Sequence, residues 1–473
     1  MKPVPIYTGT VGLDTVHAED DIAFDPETGV TALSAAVNVV IDKSAAGRPR
    51  ISRCKGFDLL TAGDYNSGWS DGELAFCQID TALYRMNTGG TFTGVRSSLS
   101  GNRIVFARRG ERVYYSNGTQ NGYIEGVTSS PWAIETYVGP TVMTSWSAAP
   151  RARCMAMFNG RMYLFSYEHP DFFCWSEPDQ PGLYNLAENH RIFEKGTTGR
   201  MIAPVNSGDA GMFVSTDKVT YFITGAPNVT VKQVANYPAY EGGVIQKKYS
   251  CRQLGVEMDG YAVLWRSTKG LCAGLPNGTM LNLTENMIAA GDCDGTGAVL
   301  LVGDQCIHTV GGLTMITNLA VGKPAGEKAT TQRTNYGFNS YIELAGSYYG
   351  LSSAGVYTLG GSTDNGSAIS AYFKLPATNL GSLKPKRAGY CYLTMEAGGA
   401  VYLKVTPNKD TTLTETFNIT PTTAEFHVHR EKLGKGLRAG MFGFEFGNTG
   451  GSDFSVSMME AAFQPLSRRL NQY

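Results

Sequence analysis

The sequence predicts an all-β protein: a degenerate β-propeller with an N-terminal extension and a C-terminal module that is β-sandwich-like or closes the propeller. Three observations predict this class. The chain has 473 residues, enough for several cores or for one closed repeat architecture. It contains 57 glycines, 25 tyrosines and 21 phenylalanines but only 17% charged residues, as many short strands joined by tight turns require. The third observation is a recurring pair of strands around a turn.

The recurring unit is a short apolar strand, a Gly, Asn or Asp turn and a second strand that carries tyrosine. In one copy, residues 155–158 and 162–165 flank Asn159-Gly160. Because apolar and polar residues alternate across each turn, each copy is one antiparallel hairpin that cannot bury its face alone. Further copies follow at irregular intervals, which fits propeller blades of roughly 40 to 50 residues with insertions better than a strict solenoid.

Three regions follow from this pattern. Residues 1–58 form an N-terminal extension with the first strands, and a short helix is predicted around residues 32–38. Residues 59–384 carry the propeller-like repeats. Residues 385–473 have longer strands, such as 442–446, which form either a small β-sandwich-like module or the closing strands of the propeller.

Charge and hydropathy exclude two classes of protein. Lys plus Arg is 40 and Asp plus Glu is 41, so the chain lacks the basic excess of a dedicated nucleic-acid binder. The first residues contain no apolar run of signal length, and the longest later run, 298–302, is too short to span a bilayer. We therefore predict synthesis in a cytoplasm and no membrane span.

The cysteines are scattered singly, without the paired spacing of a zinc module or a disulfide framework. We predict that they are buried, reduced thiols. The nine are Cys54, Cys77, Cys154, Cys174, Cys251, Cys272, Cys293, Cys306 and Cys391.

Residues 68–72 match Gly-x-Ser-x-Gly, the pattern of a hydrolase nucleophile elbow. That elbow requires a strand before the serine and a helix after it. Residues 73–78 instead look like a strand, and so short a pattern arises readily in a chain rich in glycine and serine. No catalytic residue is predicted, and the chain is expected not to be an enzyme.

Two patterns contain metal-ligating residue types. Residues 292–297 resemble the start of a calcium loop, but Gly303 stands where the bidentate glutamate is needed, so a plain turn is favoured. His427 and His429 point to the same face of a strand, with Glu425 as their only neighbour on that face. A solvated strand face is favoured there, and no metal or cofactor is predicted.

Residues 362–367 partly resemble the aspartate box, a turn between blade strands in sialidase-type glycosidases. The pattern occurs once, and Ala368 and Ile369 occupy the places of its Thr-Trp ending. It indicates a blade turn rather than a glycosidase site, which would need a pair of carboxylates in a cleft.

Parts of the chain resemble the tail nozzle proteins of short-tailed bacteriophages, which are also called tail tube or packaged-DNA stabilisation proteins. Three stretches near the start carry the likeness: residues 38–42, Gly47-Arg48-Pro49 and residues 53–57. Lys55 departs from the family pattern, which has proline there. In mid-chain the stretches are residues 199–204, 213–215, 219–225 and 244–247, and near the end they are 446–456 and 466–469.

The resemblance implies a structural subunit of the virion tail, assembled in the host cytoplasm. It implies a homo-oligomeric ring of about six copies that binds the head-to-tail adaptor protein and a tail fibre or spike. Double-stranded DNA would pass through the ring without sequence-specific binding. A near-neutral subunit suits that role, because each neutralised phosphate would hinder sliding.

Two other functions fit the same composition: a glycan-binding or glycan-cleaving propeller, and a cellular propeller that acts as an interaction scaffold. The basic residues of two short segments are candidates for subunit or partner contacts, although charged residues that are merely solvated are an equal alternative. These candidates are Arg48, Arg50, Arg53, Arg468 and Arg469.

Overall fold

The computed structural model describes residues 3–19, 21–22, 30–43, 47, 49–100, 102–136, 146–205, 211–225, 230–245, 248–285, 287–288, 295–380, 382, 384–434 and 436–466. Their regular secondary structure is almost entirely β-strand, with one short 3-10 helix, and turns and irregular segments connect the strands.

The N-terminal strands are β1 Pro3–Tyr7, β2 Gly9–Leu13, β3 Val30–Leu33, β4 Ala35–Val37, β5 Val39–Lys43, β6 Pro49–Arg53 and β7 Gly56–Ala62. The strands of the central region are β8 Tyr65–Ser70, β9 Ala75–Ile79, β10 Ala82–Met86, β11 Phe92–Arg96, β12 Val105–Arg109, β13 Arg112–Ser116, β14 Asn121–Glu125, β15 Thr128–Pro131, β16 Ala152–Phe158, β17 Arg161–Ser166, β18 Phe172–Trp175, β19 His190–Ile192, β20 Gly199–Val205, β21 Gly211–Thr216, β22 Thr220–Thr224, β23 Thr230–Ala235, β24 Ala239–Val244, β25 Tyr249–Ser250, β26 Tyr261–Ser267, β27 Gly270–Gly274, β28 Met280–Asn282, β29 Gly297–Val302, β30 Gln305–Val310, β31 Leu313–Gly322, β32 Lys328–Arg333, β33 Ser340–Leu344, β34 Ser347–Ser352 and β35 Gly355–Gly361. The C-terminal strands are β36 Tyr372–Thr378, β37 Lys386–Ala397, β38 Val401–Pro407, β39 Glu415–Ile419, β40 His427–Lys432, β41 Arg438–Ala439, β42 Phe442–Asn448 and β43 Phe454–Pro465, with a 3-10 helix at Thr411–Leu413.

The described residues form seven propeller blades, each a four-stranded antiparallel sheet. In chain order the blades are β8–β11, β12–β15, β16–β19, β20–β23, β24 with β26–β28, β29–β32, and β33–β35 with β7. The inner strands β8, β12, β16, β20, β24, β29 and β33 lie side by side in that order, and β33 returns to β8. This confirms the predicted all-β propeller, and a ring of seven four-stranded sheets is within the usual range for the fold.

Seven hydrophobic clusters fill the seven spaces between neighbouring blades. Between the first two blades, Trp69 stacks on Phe106 with ring centroids 5.9 Å apart. The predicted hairpins supply these rings. Asn159 and Gly160 form one of the predicted turns, with φ of 44° and 71°, and the tyrosine of that hairpin, Tyr163, is 1% exposed between the third and fourth blades.

The ring is closed by a strand from the N-terminal region. β7 supplies the outer strand of the seventh blade and pairs antiparallel with β35, with Asp58 opposite Thr358. The predicted boundary at residues 58 and 59 therefore falls within one strand. Closure by β7 leaves the C-terminal strands free to form a separate layer.

The C-terminal strands form a β-sandwich together with the N-terminal ones. One sheet has the order β40-β37-β43-β6-β5, with β1 on β43 and β41 on β37. The other runs β4-β36-β42-β38-β39. Their facing sides bury one large core to which both chain ends contribute, from Ile6 and Tyr7 to Phe454 and Phe463. The C-terminal module is therefore sandwich-like.

The sandwich and the propeller share one continuous sheet. β4 pairs with β32 of the sixth blade through Val37 opposite Gln332, and on its other edge β4 pairs with β36. Backbone hydrogen bonds thus run from the blade into the sandwich without a linker.

The helix predicted around residues 32–38 was wrong. These residues contain the second half of β3 and all of β4, and the last of them, Asn38, has a φ of 56°. A short apolar stretch fits the residue spacing of a helix or of a strand, so its position in the fold determines which of the two forms. β4 lies between β32 and β36, where a strand can pair with a neighbour on each side. Asn38 fixes the turn, since its Nδ2 donates to Thr334 Oγ1 and Ser370 O, both at 2.7 Å.

A buried ion pair lies where the blades meet the sandwich. Arg333, 1% exposed, pairs with Asp364, 5% exposed, and its Nη1 also donates to Asn38 Oδ1 at 3.0 Å. Its Nη2 donates to Lys55 O, and its guanidinium lies 5.0 Å from the Tyr336 ring centroid. Asp364 belongs to the stretch that resembles an aspartate box. This stretch is a turn after β35, as predicted, and its aspartate joins the pair.

The eight cysteines that the structure describes are free thiols and buried. Burial raises their pKa, to about 12 for Cys54 and Cys77, so they are protonated at neutral pH. Cys293 lies outside the described residues. In the described part of the chain no helix is long and apolar enough to cross a membrane.

Candidate functional site

A cavity of about 490 Å³ lies on the propeller axis, lined by the inner strands of all seven blades. Contacts between blades place the beginnings of the inner strands at one mouth of this cavity. Ser67 Oγ accepts from the amide of Ile104, and Asn339 Nδ2 donates to Tyr65 O. We call this end the entry mouth and the opposite end, where the inner strands finish, the exit mouth.

Arginines from three consecutive blades lie at the entry mouth. Arg103 lies two residues before the start of β12, whereas Arg153 and Arg200 are the second residues of β16 and β20. In both β16 and β20 the pairing register shifts across the arginine, between Ala152 and Cys154 and between Gly199 and Met201. An extra residue in one strand of a ladder re-aims its side chain, and these bulges place both arginines on the cavity wall.

A longer bulge in β24 carries a carboxylate that pairs with one of these arginines. Ala239 pairs with Ser267 and Val244 with Trp265, so residues 240–243 project out of the ladder. Gly242 has a φ of 76°, a conformation that glycine adopts without strain. Glu241 lies on this bulge, and its Oε2 accepts from Arg153 Nη2 at 3.0 Å.

Arg103 crosses the mouth from the second blade towards the fifth and seventh. Its Nη1 donates to Asn339 O at 3.0 Å, and its Nη2 would lie 2.5 Å from a Cβ placed on Gly242. Burial lowers the pKa of Arg103, and the nearby carboxylate of Glu241 opposes that shift. The guanidinium therefore lies between Asn339 and Gly242, and the absence of a side chain at Gly242 makes room for it.

Other polar groups at the entry mouth have unused hydrogen-bonding capacity. The Arg200 guanidinium has no hydrogen-bond or ion-pair partner within the described ranges. Arg153 Nε and Ser340 Oγ are buried atoms without a hydrogen-bond partner among those same residues. Three guanidiniums thus share one carboxylate.

At the exit mouth, positively and negatively charged side chains are paired. Arg108 pairs with Asp71 and lies 3.0 Å from Glu73 Oε2. Partial burial opposes ionisation of Asp71, but the Leu74 and Glu73 amides and Arg108 outweigh it and hold the pKa of Asp71 below its ordinary value. Lys248 also lines this end, and burial lowers its pKa.

The Gly-x-Ser-x-Gly stretch lies on the cavity wall, but it is not a nucleophile elbow. Ser70 ends β8, and the chain turns directly into β9 rather than into a helix. Ser70 Oγ accepts from the amide of Glu343 at 2.8 Å, a contact between the first and seventh blades. The strand predicted to follow the serine is confirmed.

The metal-like patterns do not assemble a cluster. His427 and His429 share one face of β40 with ring centroids 6.5 Å apart, and His429 Nε2 lies 3.1 Å from Glu431 Oε2. Within the described ranges there is no group of three His, Cys, Asp or Glu side chains that could hold a metal ion. Residues 292–294 of the calcium-like stretch lie outside those ranges.

The candidate contact residues are only partly described. Arg48, Arg468 and Arg469 lie outside the described residues. Arg53 is 7% exposed; it pairs with Asp453 Oδ1 at 3.2 Å and donates to Ser362 O, so its guanidinium joins the sandwich to the last blade. Arg50 lies in β6, opposite Asp42. A role of these residues in partner binding stays a prediction.

Sequence reasoning missed the cluster at the entry mouth. Its only signal is an arginine directly before the apolar residues that open three successive hairpins, in Arg103-Ile104, Arg153-Cys154 and Arg200-Met201. A single arginine at the start of a strand usually indicates a solvated end. The bulges that turn two of them inwards leave no mark in the residue types.

No family model matches this chain, and no curated protein matches it. Solved structures similar to it include a computationally designed protein, Ika8, with 9% identity, 75% of this chain and 97% of that chain covered and a TM-score of 0.38. An extracellular domain assigned to a hybrid two-component system of B. thetaiotaomicron has 10% identity, coverages of 83% and 59% and a TM-score of 0.43. The WD40 domain of Pan2 from Neurospora crassa has 8% identity, coverages of 63% and 89% and a TM-score of 0.38. With these low scores, the fold assignment depends on the strand pairing itself.

Proposed function

We propose that this chain is a structural, non-catalytic subunit of a ring-shaped assembly, and that the assembly is the tail nozzle of a short-tailed bacteriophage. The sequence resemblance supports the choice of assembly. The sheet shared by the sixth blade and the sandwich supports a structural role, because it joins the two parts without a flexible linker. A ring needs such a body, since small rotations between domains would prevent closure.

The observation that carries the proposal is an open sheet edge on the sandwich. β40 pairs with β37 on one side, and within the described ranges no strand pairs with its other side. Val428 on β40 is 64% exposed, and Phe426 just before it and Leu413 nearby in the chain are 41% and 57% exposed. Exposed apolar residues on an unpaired strand edge are typical of a contact surface, and a second copy of the chain is the proposed occupant.

The DNA path in this proposal lies between subunits and not through a propeller. A cavity of about 490 Å³, crossed by Arg103, has the size of a small-molecule pocket. The conduit would be the space enclosed by the ring of copies. The nearly equal numbers of basic and acidic residues agree with a wall that does not grip phosphates.

The test is the mass of the purified chain in solution by light scattering, alone and with a candidate adaptor protein. We expect a closed ring of about six copies, and therefore about six times the subunit mass of 50.9 kDa. Val428→Glu should prevent assembly, because it places a charge in the buried contact. The matched control is Val127→Glu, at a position 44% exposed between β14 and β15, which should assemble normally. A wild-type monomer that ignores the adaptor would refute the nozzle.

A glycan-binding propeller is the second candidate, and the cationic entry mouth favours it. Arginines on a pocket wall suit acidic sugars, whose carboxylates accept paired hydrogen bonds. Such a protein would remain monomeric in the mass measurement and would bind polysaccharide. The two candidates therefore separate in the same set of experiments.

A further inference from the structure

We propose that the entry mouth of the propeller cavity is a binding site for a small oxyanion, a carboxylate or phosphate group, held by Arg103, Arg153 and Arg200. The site is independent of the proposed nozzle role, because it lies on the propeller axis and not on the sandwich edge. Its occupant is limited by the cavity to a small molecule or the end of a longer one.

Charge is the first support. Three guanidiniums face one carboxylate, Glu241, which is 23% exposed and already bonded to Arg153. Arg200 has no acidic neighbour within hydrogen-bonding distance in the described part of the chain. Like charges gathered in a partly buried site repel one another, and an anion would relieve that repulsion.

Unused hydrogen-bond donors are the second support, and they are independent of net charge. Ser340 is 2% exposed and lines the cavity, yet its Oγ has no partner among the described residues. The buried Arg153 Nε also has no hydrogen-bond partner among the described residues. Buried polar atoms are nearly always hydrogen-bonded in folded proteins, so donors left over around a cavity indicate a bound molecule or water.

The architecture is the third support. Arg153 and Arg200 reach the cavity only because each is the extra residue of a bulge, at the same place in two adjacent blades. Glu241 reaches it through a third bulge, beside a glycine at positive φ. Regular strands would have sufficed for the ring, whereas bulges are typical of places where a side chain is re-aimed at a ligand.

Glu241 has a defined part in the site. Its carboxylate occupies some of the guanidinium capacity that a ligand anion would use, so it competes with the ligand. Removing its charge should therefore strengthen anion binding, while removing a guanidinium should weaken it. A purely structural Arg153–Glu241 pair would not give these opposite effects.

The experiment is calorimetric titration of the full chain at low ionic strength with two probes, inorganic phosphate and glucuronic acid. Arg200→Gln should weaken binding at least about tenfold, the effect of losing one charge-assisted contact. Glu241→Gln should tighten it. Arg109→Gln is the matched control: Arg109 ends β12 on the exit side, 3.2 Å from Asp179, and its loss should leave binding unchanged. Preference for phosphate or for glucuronate distinguishes the two sources of the oxyanion.

Thermal melting and solution mass of each variant show that it is folded and assembled as the wild type is. The proposal is overturned if wild type binds neither probe, if Arg109→Gln loses as much affinity as Arg200→Gln, or if Glu241→Gln binds more weakly than wild type. Binding that weakens as salt is added would support it further, because the attraction is Coulombic.

Discussion

Arginine has two contrasting environments in this molecule, the junction between propeller and sandwich and the entry mouth of the cavity. At the junction, Arg333 is almost fully buried; it has its own carboxylate in Asp364, two carbonyl acceptors, Asn38 and an aromatic face. At the entry mouth, Arg103, Arg153 and Arg200 share Glu241. The difference lies in the carboxylates: both terminal nitrogens of Arg333 reach a carboxylate of its own, and only its Nε lacks a partner among the described residues, whereas the three arginines at the mouth share one acid.

This contrast shows how the role of a buried charge can be inferred from its partners. When a buried guanidinium pairs with a carboxylate of its own, that pair offsets much of its desolvation free energy, and its role is to hold the fold together. For a partly buried guanidinium without a carboxylate of its own, the desolvation free energy is not offset until a ligand binds. Three predictions would break or sharpen the comparison.

The largest effect is expected at the junction. Arg333→Leu leaves Asp364 buried without its partner, and it should lower the free energy of unfolding by about 3–5 kcal/mol, as measured by urea denaturation. Arg200→Leu at the entry mouth is the matched change and should shift stability by less than about 0.5 kcal/mol, because Arg200 has no partner to lose. Equal losses in the two variants would contradict the distinction.

The next effect separates packing from charge at the same junction. A Cβ on Gly56 would lie 1.8 Å from Thr363 O and 3.1 Å from Asp364 Oδ1, both in the turn that supplies the carboxylate. Gly56→Ala should therefore cost about 1–3 kcal/mol by pushing β7 away from that turn. The control is Gly94→Ala in β11, where a Cβ meets only Tyr84 Cε1 at 3.9 Å. If both variants unfold at the same denaturant concentration, the close approach at Gly56 has no energetic weight.

The smallest effect is expected at the exit mouth, where charges are paired but partly exposed. The pKa of Asp71 in the folded protein lies below the ordinary value of 3.8. Its contribution to stability is therefore present above about pH 4 and is lost as the pH falls through the folded pKa. Asp71→Asn should cost under about 1 kcal/mol at pH 7, and this difference should shrink by pH 3. If the stability difference between wild type and Asp71→Asn grows on acidification, the pKa of Asp71 is not lowered in the folded protein.

The sequence predicts the local units well and their assembly poorly. The hairpin around Asn159 and Gly160 is predictable because its turn and its alternation lie within about ten residues. The blade number is not, because the seventh blade borrows β7 from a distant part of the chain. A sandwich-like C-terminal module is one of the two predicted alternatives, but the share of the N-terminal strands in it is hidden for the same reason: Pro3 pairs with Ala462, and nothing local to either residue indicates the other.

The candidate site is harder still. Glu241 is one acid among 41, and only the bulge that carries it places it beside Arg153. The helix expected at residues 32–38 failed in a related way, because the ladders on both sides of β4 outweighed local preference. In each case a contact between distant segments determined the outcome.

The strand that closes the ring also sets an order of events during synthesis. β7 is made before the blades, but β35, the strand that it pairs with in the described structure, is made after the other six blades, and β43 must follow before β1 is paired. Until these later strands are made, the growing chain carries three N-terminal strands, β1, β4 and β7, without their partners, and an open arc of blades. Pairing between remote segments is slow, and unpaired strands aggregate. The nascent chain therefore passes through a long interval in which protection of its first strands decides the yield of folded protein.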